Sequence, residues 1–203
     1  MFIRRESLKQ YVRWYPVTAS LIVVNVLMVL LMEIAGSPRS SLTLLKFGAM
    51  FSIGGYEPEW WRYVTAIFLH AGWEHLAFNC FALYVFAPPL ERMLGHARYF
   101  AHYVLSGVIG NVAGSLLRTG EYIGVGASGA IYGIYAAYVF IALFRKDLVD
   151  ESSRKIIQTI VIVGFIHSLI MFRRVDLWAH LGGFAGGFLL IALLALSVRA
   201  RRR

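Results

Sequence analysis

Gly126-Ala127-Ser128-Gly129-Ala130-Ile131-Tyr132-Gly133 opens an apolar run that continues to Phe144. A serine flanked by glycines at the mouth of a membrane-length helix is either a packing notch or a nucleophile. A second stretch, Ala179-His180-Leu181-Gly182-Gly183, places a histidine inside another such run. Ionisable groups within spans are costly to bury, which makes them functional candidates with a partner to be found.

Working outward, the same apolar character fills the chain. Its 203 residues are 59% hydrophobic and 15% charged, with a mean hydropathy of +0.64, beyond ordinary globular usage. A span needs about 20 apolar residues. Six runs meet or approach that length: Val17–Met32, Trp73–Leu90, Arg98–Leu117, Gly126–Phe144, Ile156–Phe172 and Leu177–Val198. The fold class expected is an all-α polytopic membrane protein, a bundle of six transmembrane helices. So little chain remains that residues 1–203 are expected to form one membrane-embedded domain. The single Cys80 excludes an internal disulfide and offers no metal-binding pattern. The first run is long, follows a basic amphipathic start and lacks a clear cleavage site, so no cleavable signal peptide is expected.

The net charge of +9 is read as a topology signal rather than a nucleic-acid signature. One side would carry fourteen Lys and Arg residues, among them Arg4, Arg5, Lys9, Arg145, Lys146 and Arg201, Arg202, Arg203. The other would carry six: Arg39, Lys46, Arg62, Arg118, Arg173 and Arg174. The richer side should be cytoplasmic, with both termini on it. The external loop from Glu33 to Gly72 is long but not simply polar. Leu42, Leu44, Leu45, Phe47, Met50, Phe51 and Glu59-Trp60-Trp61-Arg62-Tyr63 predict short helices lying in the interface.

Small residues predict the helix contacts. Gly129 and Gly133 form a G-x-x-x-G in the fourth span; Gly182/Gly186 and Gly183/Gly187 form two more in the sixth. Such faces allow close backbone approach, so these spans are expected to be neighbours. Ser128 and His180 both fall near the outer ends of their spans and would meet. A serine hydroxyl needs a base in hydrogen-bond reach, and histidine has a suitable pKa. It also needs donors for the oxyanion of a tetrahedral intermediate. His75 and Asn79, spaced i, i+4 at the outer end of the second span, lie on one helix face and can supply them. The backbone N–H of Ser128, at a helix N-terminus, is a third candidate.

Together these motifs resemble the rhomboid family of intramembrane serine proteases. Gly126-Ala127-Ser128-Gly129 with Tyr132 looks like its G-x-S-G, His75-Leu76-Ala77-Phe78-Asn79 its H-x-x-x-N, and Ala179-His180 with Gly183 and Gly187 its A-H-x-x-G-x-x-x-G. Trp61-Arg62 matches the W-R pair of the first loop, and Glu91-Arg92-Met93-Leu94-Gly95 the E-x-x-x-G that ends the second span. Any one motif is weak; five in order, each on the expected span, are specific. The resemblance implies Ser128 as nucleophile and His180 as general base, a dyad without a carboxylate. It implies an oxyanion hole of His75, Asn79 and the Ser128 N–H, a Tyr132 that packs on and orients His180, and a Gly126 that keeps the turn narrow. Gly129, Gly183, Gly187, Trp61 and Arg62 would support the site. Implied too are a bacterial plasma membrane, an active site opening to its external side, and single-span membrane proteins as substrates in the lipid bilayer. No metal, cofactor or nucleic acid is implied, and the oligomeric state is not legible.

The remaining polar residues have duller readings. Asp176, one turn before His180, reads as a loop or cap residue, and Glu74 as a solvated interface acid. His70 reads as a structural hydrogen-bonding group at the loop edge, and His167 as a helix–helix hydrogen bond. His96 and His102 lie toward the cytoplasmic side. Pro88-Pro89 departs from the family pattern and should end or kink the second span. A pseudoprotease that binds membrane clients without cutting is the alternative, but such proteins typically lack the serine or the histidine. A small transporter or a haem bundle ligated by His75 and His180 leaves the serine turn and Trp61-Arg62 unexplained.

Overall fold

The computed structural model describes residues 2, 3, 5–171 and 175–200, with side chains through residue 195. Its α-helices are α1 (Leu8–Trp14), α2 (Pro16–Ala35), α3 (Ser41–Phe47), α4 (Arg62–Thr65), α5 (Trp73–Leu94), α6 (His96–Leu117), α7 (Ser128–Phe144), α8 (Glu151–Ile170) and α9 (Leu177–Ala200). The bundle is all-α apart from a ribbon of two short strands, β1 (Met50–Ser52) and β2 (Tyr122–Gly124). They run antiparallel, Met50 opposite Gly124 and Ser52 opposite Tyr122. Of the expected interfacial helices, Leu42–Phe47 falls in α3. Met50 and Phe51 are extended instead, because the chain just before α7 supplies them with ladder partners.

The six long helices follow the six apolar runs. Four of them, α2, α6, α8 and Leu177–Ala195 of α9, are long and apolar enough to cross a membrane. The other two differ. The 22 residues of α5 include Glu74, Glu91 and Arg92. The 17 residues of α7 span about 25 Å, less than the ~30 Å of a hydrocarbon core.

Several boundaries move for local reasons. The fourth helix starts at Ser128, not Gly126, because Gly126 has φ +130°, outside the helical region. The fifth starts at Glu151, not Ile156, because Asp150 caps it by accepting from the Ser153 N–H at 2.9 Å. Its expected end at Phe172, like Arg4, Arg173, Arg174 and Arg201–Arg203, lies outside the described residues. α9 runs beyond Val198 to Ala200.

Pro88 and Pro89 do not end α5, which continues to Leu94. A proline strands the carbonyl four residues before it. Here the Tyr84 carbonyl, which Pro88 cannot serve, accepts from the Tyr11 hydroxyl at 3.3 Å. One turn later Glu91 is fully buried and closes the start of α2. It accepts from the Val17 N–H (3.0 Å), the Thr18 N–H (2.9 Å) and the Thr18 hydroxyl (2.6 Å). A carboxylate at a helix N-terminus satisfies orphan donors and meets the positive end of the dipole. His96 Nδ1 lies 2.7 Å from Glu91 Oε1, the oxygen that also accepts from the Val17 N–H. Gly95 alone joins α5 to α6, at φ +78°.

The core is built around α7. Every residue from Gly129 to Tyr138 is buried. The glycine rows of α9 face two different neighbours. A methyl on Gly183 would collide with the Gly129 carbonyl oxygen, and one on Gly187 with Gly133. Those on Gly182 and Gly186 would strike Ala113 and Ile109 of α6 instead. In return, a methyl on Gly110 of α6 would reach the Ala179 carbonyl at 2.6 Å. Thus α9 is wedged at backbone distance between α6 and α7. Exposed Leu27, Leu31, Phe81, Ile162, Ile166 and Leu189 give the outer surface the apolar character of a lipid-facing bundle.

Candidate active site

The two residues quoted from separate spans meet. His180 Nε2 lies 2.8 Å from Ser128 Oγ, and the imidazole is only 5% exposed. Each stands in the first turn of its helix. Ser128 is the first residue of α7, so its N–H has no carbonyl partner within that helix. His180 is fixed from below by Asp176, which sits just before α9. The Asp176 carboxylate accepts from the Ala179 N–H at 2.9 Å, and its carbonyl accepts from the His180 N–H at 3.1 Å. Asp176 is therefore a helix cap, as its sequence position implied. Arg118, just past the end of α6, lies 3.5 Å from its carboxylate and over the Tyr122 ring, which ties the end of α6 and β2 to the start of α9.

Tyr132 stacks on His180, ring centroids 4.3 Å apart and planes 7° from parallel. The ring nitrogen facing away from the serine, Nδ1, meets a residue that sequence reading missed. Ser168 of α8 places its Oγ 2.8 Å from His180 Nδ1 and 2.6 Å from the Tyr132 hydroxyl. It is fully buried. A sequence signal existed: Gly164 and Ser168 form a small-x-x-x-small pair in the fifth span, and a methyl on Gly164 would sit 3.1 Å from the Tyr132 hydroxyl. The neighbouring His167, expected to bridge helices, is exposed instead. It lies on the outer face of α8, and Ser168 is the polar residue that this end of α8 turns inward.

The other expected residues surround the Gly126 turn. A methyl on Gly126 would lie 2.7 and 2.8 Å from Cε1 and Nε2 of His75 and 3.7 Å from Ser128 Oγ. The His75 imidazole and the serine hydroxyl therefore flank one small gap that only glycine leaves open. His75 Nδ1 accepts from the Ala71 N–H at 3.4 Å, which leaves Nε2 toward the turn. Asn79 is buried one turn along, and one of its two amide hydrogens goes to the His75 carbonyl at 2.9 Å. His70 packs edge-on to His75 at 5.1 Å. Burial, with His75 beside it, pushes His70 down to about 3. His102, also buried, reaches the Gly133 carbonyl at 3.1 Å, five residues along α7 from the serine.

Trp61 and Arg62 hold the long loop. The Arg62 guanidinium donates to the carbonyls of Leu45 (2.8 Å) and Ala49 (3.0 Å), pairs with Glu59, and lies 4.5 Å over the Trp61 ring. Four residues after Arg62, the Ala66 carbonyl accepts from the Gly126 N–H at 2.9 Å. The loop thus reaches the serine turn through its backbone.

Comparison with known proteins agrees with this architecture. A family profile described as "Rhomboid domain" matches residues 57–197. YdcA of Bacillus subtilis (strain 168), named as a rhomboid protease, is 38% identical over 203 residues, all of both chains. The rhomboid protease GluP of the same organism is 37% identical over 177 residues, 86% of this chain and 34% of GluP. RHOMBOID-like protein 5 of Arabidopsis thaliana is 35% identical over 155 residues, 76% of this chain and 50% of that protein.

Proposed function

Because the chain belongs to the rhomboid family, we propose that it is an intramembrane serine endopeptidase working through a Ser128–His180 dyad. The observation that carries this reading is the 2.8 Å contact between His180 Nε2 and Ser128 Oγ in a buried, glycine-packed setting. His180 takes the hydroxyl proton as Ser128 Oγ attacks the scissile carbonyl. The oxyanion meets the Ser128 N–H, His75 Nε2 and the second Asn79 amide hydrogen. Collapse of the intermediate breaks the C–N bond, and His180 returns its proton to the leaving amine. Water, deprotonated by the same imidazole, then hydrolyses the acyl-serine and restores the hydroxyl.

The substrate class is a single-span membrane protein cut in or near its membrane segment. The short α7 supports that class. If its cytoplasmic end lies at one interface, ~25 Å of helix leaves Ser128 about 5 Å inside the opposite boundary of a ~30 Å core. The charge distribution supports cytoplasmic termini and an active site opening outward in a bacterial plasma membrane. The test is cleavage of a reporter transmembrane substrate by purified, reconstituted protein. Ser128→Ala and His180→Ala should each abolish cleavage while the protein still inserts and unfolds at the wild-type temperature. Persistent cleavage by Ser128→Ala rejects the assignment. A wild type that binds the reporter without cutting it leaves the pseudoprotease reading.

A further inference from the structure

Ser168 contacts both ring partners of the dyad, and its hydrogens can be placed by elimination. A serine hydroxyl has one proton and two lone pairs. Around Ser168 Oγ stand the Gly164 carbonyl at 3.0 Å, the Tyr132 hydroxyl at 2.6 Å and His180 Nδ1 at 2.8 Å. The Gly164 carbonyl can only accept. All three contacts are hydrogen bonds in one arrangement alone: Ser168 gives its proton to Gly164, and Tyr132 and His180 both donate to Ser168. His180 then carries its proton on Nδ1, and Nε2 keeps a free lone pair facing Ser128 Oγ 2.8 Å away. That is the tautomer a general base needs. The opposite tautomer would point an N–H at the nucleophile.

We propose that Ser168 is the positioning residue of this site. It does for His180 what a buried carboxylate does in soluble triads, fixing tautomer and ring orientation, though without a charge. The setting suits a neutral partner, since an unpaired carboxylate would be costly at this depth of a membrane bundle. Tyr132 holds the same imidazole by its face and, through its hydroxyl, holds Ser168. The inference rests on the dyad reading.

The experiment compares wild type, Ser168→Ala, Ser168→Thr and Ser128→Ala in one reporter-cleavage assay. Nitrogen-15 spectra of the histidine rings accompany it, with His180 assigned through a His180→Asn variant. At mildly alkaline pH, where an imidazole is neutral, wild-type His180 should give a protonated-type Nδ1 and an unprotonated-type Nε2. Ser168→Ala should mix the two tautomers and lower kcat by about tenfold, the equivalent of one lost neutral hydrogen bond, with KM little changed. Ser168→Thr keeps the hydroxyl and should keep the wild-type ring spectrum. The inference is overturned if wild-type His180 is protonated on Nε2, or if Ser168→Ala retains either full kcat or an unmixed spectrum. If Ser128→Ala still cleaves, the dyad reading itself is what has failed. If Ser128→Ala is inactive while Ser168→Ala is fully active, only the role of Ser168 is lost.

Discussion

At the scale of single residues, the site depends on groups that leave room as much as on groups that react. Gly126 has φ +130°, and a methyl there would lie 2.7 Å from the His75 ring. Gly126→Ala should therefore push His75 from the oxyanion position and cost about 100-fold in kcat, the usual effect of losing one such donor. Reporter cleavage at saturating substrate measures this; wild-type kcat would contradict it. His70 makes a pH prediction. Its folded pKa of about 3 lies below its ordinary 6.5, so its contribution to stability is complete above the ordinary value. That contribution is lost as pH falls toward the folded one. Acidification from about pH 7 to 5 should cost about 2 kcal/mol through this residue. Thermal unfolding of His70→Leu should consequently fall less over that interval than that of wild type; equal losses would exclude His70 as a contributor. Ser128, His180 and Gly126 were legible in sequence because each belongs to a spaced motif. Ser168 was not read, since its one sequence mark is a small-x-x-x-small spacing from Gly164, and only packing shows the Tyr132 hydroxyl that this pair admits.

At the scale of elements, close backbone approach joins three helices. Gly183 of α9 abuts the Gly129 carbonyl, and no side chain can yield there. Gly183→Ala should destabilise by on the order of 2 kcal/mol through overpacking and should also lower cleavage, because it parts the helices that bring Ser128 and His180 together. Leu189→Ala, on the exposed face of the same helix, should do neither; the comparison is read by Tm and reporter cleavage. The pairing of the fourth and sixth spans followed from G-x-x-x-G spacing alone. The division of α9 between α6 and α7 did not, because the two glycine rows differ by one residue and only three-dimensional packing separates them. Pro88-Pro89 misled for a similar reason. The tyrosine that donates to the stranded Tyr84 carbonyl comes from α1, more than seventy residues away. Tyr11→Phe should cost about 1 kcal/mol, the usual worth of such a bond, measurable as a lower Tm; an unchanged Tm would mean that α5 tolerates the prolines unaided.

At the scale of the whole molecule, an apolar bundle encloses the Ser128–His180 contact, and the proposed topology, drawn from the charge distribution, opens that contact outward. A fluorescent-protein fusion at either terminus should be bright, and a periplasm-dependent phosphatase inserted near Gly120 should be active; the reverse pattern would invert the topology. The six apolar runs and the family motifs made the bundle legible. The β1–β2 ribbon was not, because three-residue strands lack a period and exist here only through pairing across seventy residues of chain. The dyad is tested most directly by a fluorophosphonate, whose phosphorus is attacked by an activated serine Oγ with loss of fluoride. Peptide mapping of the labelled, reconstituted protein should place the adduct on Ser128 in wild type, and none should form in His180→Ala. An adduct elsewhere, or one on Ser128 that forms as fast without His180, would contradict the account.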